Sequence, residues 1–381
     1  MIPRSFEDIA KSDIEALIAN GVAERRTLEF KRDLPGNSEK DRKEFLADVT
    51  SFANAQGSDI LFGIDAPKGV ATIIAGMKID NPDKEVLRWE EVLLAGVEPR
   101  LPGIKLRWID CGEAGGVMLI RVPASTIAPH RVIFARTNRF FGRKSNGKYE
   151  MDTQELRDAF TASEALPTRL RALHLEAVDA ALRCDLPIFL GGEPTAIVSL
   201  IPTTTFREAR DLDVTPEHAL APHKPSGHME AIRMIEGVLL HTNPGEQGAV
   251  RSYAVTHRTG RTDMVWTIGR VVDELKKSET KLVWPQRFED GLLDAAISGA
   301  SWLNHYGIDG PWLVMATITG IKDYRLVVSS EYWSDPAWRD QATLPPLMIE
   351  RMNRAALLPL LRSFWLAFGF ERPASPFGGD S

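Results

Sequence analysis

Three carboxylates stand where folding could bring them together: Glu24, Glu29 and Asp65. Glu29 projects from the charged side of an alternating stretch, Thr27 to Arg32, in which Leu28 and Phe30 point the other way. Glu24 lies in the turn leading into that stretch, and Asp65 closes the next apolar run, Ile60 to Ile64. Acids gathered at the ends of neighbouring strands offer hard oxygen ligands to Mg²⁺ or Mn²⁺. Such an ion polarises a phosphodiester and readies a hydroxyl or water for attack. The plain alternative is a set of solvated charges, with Glu29 and Lys31 forming an ion-paired strand face.

A second constellation is basic. Arg131, Arg136, Arg139, Arg143, Lys144 and Lys148 follow one another with no acid among them, in a chain whose net charge is −6. Phe134, Phe140, Phe141 and Tyr149 are interleaved with them. Cations of this kind neutralise phosphates and fix register on a nucleic acid, while aromatic faces stack on bases. The alternative is a solvated hairpin whose aromatics face the core.

Other motifs offer less. The run CGEAGGV, with Gly112, Gly115 and Gly116, lacks the Lys-Ser/Thr of a phosphate-binding loop and precedes a strand, so it reads as a hairpin turn. His130 follows a proline and reads as structural. His218, His223 and His228 have no regular ligand spacing. No GxSxG or HExxH occurs.

The elements that must position these residues follow from periodicity. Ser12-Asp-Ile-Glu15 reads as a capping box opening a helix that Gly21 stops. Phe45, Val49 and Phe52 share one helical face in a segment ended by Gly57. Val117 to Val122 and Arg131 to Phe134 read as strands, and Asp152-Thr-Gln-Glu155 opens a helix through Phe160. A separate helix, Leu170 to Arg183, leads into a region of β-type runs: AIVSLIP, EGVLLHT, RSYAVTHR, MVWTIGR and WLVMATITG. Arg210 to His228 reads as a long loop, and Pro346 to Phe368 as a last amphipathic helix before a frayed tail. The expected fold class is α+β: a helix-covered mixed sheet over residues 1–165, then a separate β-rich α+β domain with a mainly antiparallel sheet over 166–381.

Size and composition bound the function. With 381 residues, 44% hydrophobic and 26% charged, each half can bury a core. No apolar stretch approaches the ~20 residues of a membrane span, and the start, MIPRSFEDIAKSD, has no apolar run of a secretory signal. Cys111 and Cys184 lie in no metal-ligand spacing, so a reducing cytoplasm fits. The acidic balance excludes a globally basic binder and confines any nucleic-acid contact to a local patch.

In combination, three motifs in order resemble a known family. Glu24-Arg-Arg-Thr-Leu-Glu29-Phe-Lys31, then Phe52-Ala-Asn54-Ala-Gln-Gly57, then Ile60-Leu-Phe-Gly63-Ile-Asp65 are similar to the Schlafen AlbA-type domain, with its E-x4-E-F-K strand, F-A-N-x-x-G-G helix end and I-G-V-D strand. Arg143-Lys-Ser-Asn-Gly and the Met151-to-Phe160 helix are similar to its closing elements, so the resemblance runs from about Ile14 to Phe160. Departures are Gly57-Ser58 in place of Gly-Gly, and Pro67 beside Asp65.

The resemblance implies nucleic-acid binding. It implies a metal-dependent endoribonuclease site in which Glu24, Glu29 and Asp65 hold Mg²⁺ or Mn²⁺; on that reading Lys31 is the candidate phosphate contact and the Arg131–Lys148 segment would hold structured RNA such as tRNA. By analogy it implies a phage-defence effector, a homodimer that completes a shared cleft, and a C-terminal domain that binds a trigger. The alternative function is a non-catalytic, DNA-associated regulator whose acids orient Lys31 and the arginines by ion pairing. A nucleotide-binding switch ranks last, for want of a Walker-type lysine.

Overall fold

The structure, a computed structural model, describes residues 1–374 apart from 3, 5, 145–146, 184, 204–210, 225–226, 246–247, 275–277, 309 and 330. Cys184, the C-terminal tail and part of the Arg210–His228 loop thus lie outside the described residues. The chain forms two compact units, one built on Met1–Pro167 and the other on Thr168–Thr205, Ala209–Leu303 and Gly310–Ser381.

The first unit runs α1 (Lys11–Ala19), β1 (Leu28–Lys31), α2 (Glu39–Ala53), β2 (Gly57–Phe62), β3 (Ile64–Asp65), β4 (Ile73–Ile74), α3 (Pro82–Gly96), β5 (Val97–Glu98), β6 (Lys105–Asp110), β7 (Gly116–Pro123), β8 (Arg131–Val132), β9 (Arg139–Lys144), β10 (Gly147–Glu150) and the first half of α4 (Thr153–Arg183), whose residues from Thr168 belong to the second unit. Its main sheet has the order β1-β2-β7-β6, with β1 parallel to β2 and the other pairs antiparallel. A second sheet orders β10-β9-β8-β5.

Side chains alternate across the main sheet. Leu28, Phe30, Leu61, Val117 and Leu119 join Phe6 and Ile14 on one side. Ile60, Phe62, Met118, Ile120 and Val122 join Phe45, Val49 and Phe52 of α2 and Trp89 of α3 on the other. Both faces are therefore covered, which explains why β2 and β7 are buried along their whole length. Glu29 pairs in register with Ile60 and so belongs to the α2 side. The sequence places it on a solvated face; the structure buries it, at 9% exposed.

Several local expectations are corrected. The first helix begins at Lys11, where Asp13 accepts from the Ala10 amide, so Ser12 is inside it rather than at its cap. Gly63 ends β2, and Asp65 belongs to the short β3–β4 ladder instead of the main sheet. The helices expected at Asp152–Phe160 and Leu170–Arg183 are one 31-residue helix, α4, which runs through Pro167. Its start is as expected: Asp152 and Glu155 exchange reciprocal backbone bonds of 2.8 and 3.1 Å. CGEAGGV forms the β6–β7 turn, where Gly112 and Gly115 take φ of +76° and +95°.

The second unit contains β11 (Phe189–Leu190), β12 (Thr195–Pro202), β13 (Met229–Arg233), β14 (Gly237–Thr242), β15 (Ala249–Val250), β16 (Ser252–His257), β17 (Thr262–Thr267), β18 (Gly269–Glu274), β19 (Ser278–Val283), α5 (Pro285–Leu293), α6 (Gly299–His305), β20 (Trp312–Thr319), β21 (Arg325–Leu326), β22 (Gln341–Thr343), β23 (Leu347–Ile349) and α7 (Leu358–Leu366). The order β13-β14-β16-β17-β12-β20-β22, with β23 also on β20, is antiparallel throughout. The last helix expected from Pro346 starts only at Leu358. Leu347–Ile349 pairs with β20 instead, because Pro345 and Pro346 favour extended backbone before it.

No helix among the described residues is long and apolar enough to cross a membrane.

Candidate nucleic-acid interface

Glu29 is the centre of a charge network. Its Oε1 accepts from Lys31 Nζ at 2.8 Å and its Oε2 from Arg143 Nη2. Arg143 comes from β9 and lies over the Phe52 ring of α2, 3.8 Å from its centroid. Asp48 of α2 closes the network: it accepts from Lys148 Nζ at 2.8 Å and stands 3.9 Å from both Arg143 and Lys31. Burial pushes the Lys31 ammonium down, but its bond to Glu29 and the fields of Asp48, Glu29 and Glu24 outweigh that and hold it above the usual lysine range.

Asn54 fixes the hairpin over this network. Its amide donates to the carbonyls of His130 and Phe141, each at 2.9 Å, and its oxygen accepts from the His130 amide at 2.7 Å. His130 is structural, as read from the sequence. Its ring is buried between the Pro99 carbonyl (2.7 Å) and the Ser125 hydroxyl (2.6 Å).

The basic segment is not bare charge. Arg131 pairs with Glu98, Arg139 with Glu150, Lys144 with Glu155, and Lys148 with Glu44 as well as Asp48. The segment contains no acid, yet the fold brings acids to it from α2, α4, β5 and β10. Exposed Arg136, at φ +63°, has no ion pair among the described residues. Phe134 and Phe141 pack against the α2 core, and Tyr149 lies under Lys144 while donating to Glu155 at 2.9 Å. Phe140 meets Phe160 edge-on at 6.1 Å.

The other two acids are also placed. Glu24 Oε1 accepts from the Phe30 amide at 3.0 Å, and its own amide donates to Gly69 O at 2.7 Å. The loop after Asp65 therefore folds back on Glu24, and a Cβ at Gly69 would come within 3.0 Å of Glu24 Oε2. The Asp65 carbonyl accepts from Thr72 through its amide (2.9 Å) and hydroxyl (3.0 Å). A divalent ion needs several carboxylate oxygens free to coordinate. Both oxygens of Glu29 and one of Glu24 are instead committed to N–H donors. Among the described residues no three His, Cys, Asp or Glu side chains group to hold an ion. The donors as arranged do not fit a metal centre.

Asp48 is the site residue that sequence reasoning missed. The available signal was an acid lying between Phe45 and Phe52, on the apolar stripe of α2.

Residues 24–152 match the family described as Schlafen, AlbA_2, so the N-terminal part of the chain carries a Schlafen AlbA_2 domain and with it a nucleic-acid-related role. Two solved structures are similar to part of the chain. A crystal structure of the DIP2311 protein from Corynebacterium diphtheriae is 15% identical, with 38% of this chain and 30% of that chain covered and a TM-score of 0.28. A solution structure of the N-terminal domain of a protein related to the ATP-dependent DNA helicase RecG, from Nitrosomonas europaea, is 18% identical, with 33% and 82% covered and a TM-score of 0.26. The chain thus spans under a third of the first structure's length. No curated protein matches the chain.

Proposed function

We propose that the AlbA_2 domain is a nucleic-acid-binding module whose buried acids orient cations. The observation that carries this reading is the state of Glu29, whose two oxygens are spent on Lys31 and Arg143. The network forms a rigid floor under the β9–β10 hairpin. The outer cations of the basic segment are the ones a ligand meets: Arg131 of β8, Arg136, and Arg139 and Lys144 of β9. The carboxylate partners of Arg131, Arg139 and Lys144 lie at the surface, where such pairs contribute only about 0.2–1 kcal/mol. A phosphate can take the place of each at little cost, releasing counterions as it does so. Structured RNA such as tRNA suits contacts made to backbone and shape; duplex DNA is the competing ligand.

The second reading is a metal-dependent endoribonuclease acting in antiviral defence. The Asp65 loop folding onto Glu24 favours it, and it requires Lys31 and Arg143 to release Glu29. We extend the first reading to a homodimer, in which two hairpins share one nucleic acid.

The test is fluorescence anisotropy of the full chain with tRNA and with duplex DNA across a salt series, beside Arg139→Gln/Lys144→Gln. Two lost phosphate contacts should flatten the log–log salt slope by roughly 2. An unchanged slope sinks the interface. Labelled tRNA incubated with Mg²⁺, Mn²⁺ or EDTA decides the second reading: metal-dependent fragments lost in Glu29→Gln would establish it. Sedimentation with and without tRNA reads the dimer.

A further inference from the structure

The second unit holds a cationic cavity of about 510 Å³ that the interface above does not use. Lys224, Arg251 and Arg287 line it, with Asn243, Ser252 and Trp266, and no carboxylate lines it among the described residues. The basic segment of the first unit pairs most of its cations with acids. Here Lys224 pairs with Asp290 at 3.1 Å, but the guanidinium groups of Arg251, Arg287 and neighbouring Arg270 make no ion pair among the described residues. Burial and the like charges of Arg270 and Arg251 push Arg287 below the usual arginine range, only partly countered by Glu193.

The arginines are held in place. Trp266 Nε1 donates to the Arg287 carbonyl at 3.0 Å, fixing the start of α5. The Trp284 ring lies 4.8 Å from the Arg287 guanidinium and 5.5 Å from that of Arg270. Ser252, at the head of β16, carries a buried hydroxyl with no hydrogen-bond partner. A folded chain keeps like charges together and leaves a polar atom unsatisfied at a cost in stability, and sites where it does so are those a ligand completes.

We propose that this cavity binds a phosphorylated small molecule of nucleotide size, its phosphates held by Arg251, Arg287 and Lys224. Planar guanidinium groups match phosphate oxygens two at a time, which a single ammonium cannot do. The volume falls in the range of small-ligand sites and exceeds what a lone inorganic ion fills. The same phosphate chemistry is offered by a free nucleotide or by the 5′-phosphorylated end of an oligonucleotide. The inference does not depend on the function of the AlbA_2 domain.

The experiment is calorimetric titration of the full chain with inorganic pyrophosphate, ADP and a 5′-phosphorylated tetranucleotide, each against Arg251→Gln, Arg270→Gln and the charge-matched control Arg362→Gln. Arg251, Arg270 and Arg362 are all exposed, so these changes leave the core intact. Saturable binding of pyrophosphate and ADP, weakened about tenfold in Arg251→Gln and weakened also in Arg270→Gln but kept in Arg362→Gln, is the expected result. Binding of the phosphorylated tetranucleotide alone, with the same losses, keeps the site and assigns the phosphate to a nucleic-acid end. Tryptophan fluorescence of the unaltered chain gives an independent reading through Trp266 and Trp284. No saturable response to any of the three, or equal weakening in all three variants, overturns the proposal.

Discussion

Arg143 donates to Glu29 across 114 residues of sequence, and the two side chains are 12% and 11% exposed. The pair ties the β9–β10 hairpin to the main sheet, where Asn54 ties it to the end of α2. Charge-assisted bonds of this kind contribute about 1.5–3 kcal/mol, and a partner left behind carries its own desolvation cost. Arg143→Met should therefore lower stability by about 2–3 kcal/mol in urea unfolding. Adding Glu29→Gln should recover part of the loss, since it removes the orphaned charge. Strict additivity of the two changes would show that the pair contributes nothing.

A deeper pair holds the N-terminus. Arg121 meets Asp59 through two 2.8 Å bonds, and the Asp59 carboxylate also accepts from the Ile2 amide at 2.6 Å. Asp59 is fully buried and Arg121 nearly so. Arg121→Met should cost about 3–5 kcal/mol, because it strands a buried carboxylate. Chemical denaturation measures this, and a loss under about 1 kcal/mol would mean that water reaches the pair.

In the second unit, His174 bridges Ser199 and Thr317, each at 2.9 Å, and the Ser199 hydroxyl donates to Asp263 at 2.6 Å. Ser199 therefore accepts from Nδ1–H, and in the neutral ring that burial favours Nε2 accepts from Thr317. Burial pushes its pKa down to about 4. A base depressed in the folded state binds its proton more readily when unfolded, so stability falls as pH drops from about 6.5 to about 4 and then levels. Buried His223 contributes with the same sign. The loss due to His174 is about 3 kcal/mol. Melting curves at pH 7 and pH 5 should differ in that direction, and His174→Gln should flatten the dependence; a flat profile for the unaltered chain contradicts the neutral ring.

Gly291 lies against the ring of Trp266, where a Cβ would come within 2.2 Å of its atoms. Helix propensity favours Ala by up to about 1 kcal/mol, but overpacking costs about 1–3 kcal/mol. Gly291→Ala should therefore be destabilising on balance, by thermal melting. A stabilised variant would mean that the ring moves freely.

The local pattern was readable wherever neighbours in sequence are also neighbours in space. Leu28 with Phe30, and Phe45 with Val49 and Phe52, report their buried faces directly, and the apolar runs of the second unit became β12, β14, β16, β17 and β20. The types and spacing of the three acids and of the basic residues are equally plain in the sequence. Their state was not readable, because a strand's own alternation says nothing about which distant side chain lands on its polar face. Arg143 and Asp48 converge on Glu29 only after α2 and β9 have packed. Pro167 misled for a related reason. It removes one helical hydrogen bond, yet Leu166 and Leu170 on either side are buried, and their packing carries α4 past it. The cavity of the second unit is assembled from residues scattered between Lys224 and Arg287, and no local motif announces it.

The bond from the Phe30 amide to Glu24 has a consequence for the edge of the main sheet. β1 is the edge of its sheet, and the Phe30 amide faces away from β2, on the side where another chain's strand would pair. Glu24 occupies that position with an oxygen of its own and adds a negative charge to it. The carboxylate serves as a stopper on a surface that would otherwise template self-association. Glutamine keeps the acceptor and so keeps the stopper; alanine at 24 opens the edge and invites aggregation, whatever else the residue does.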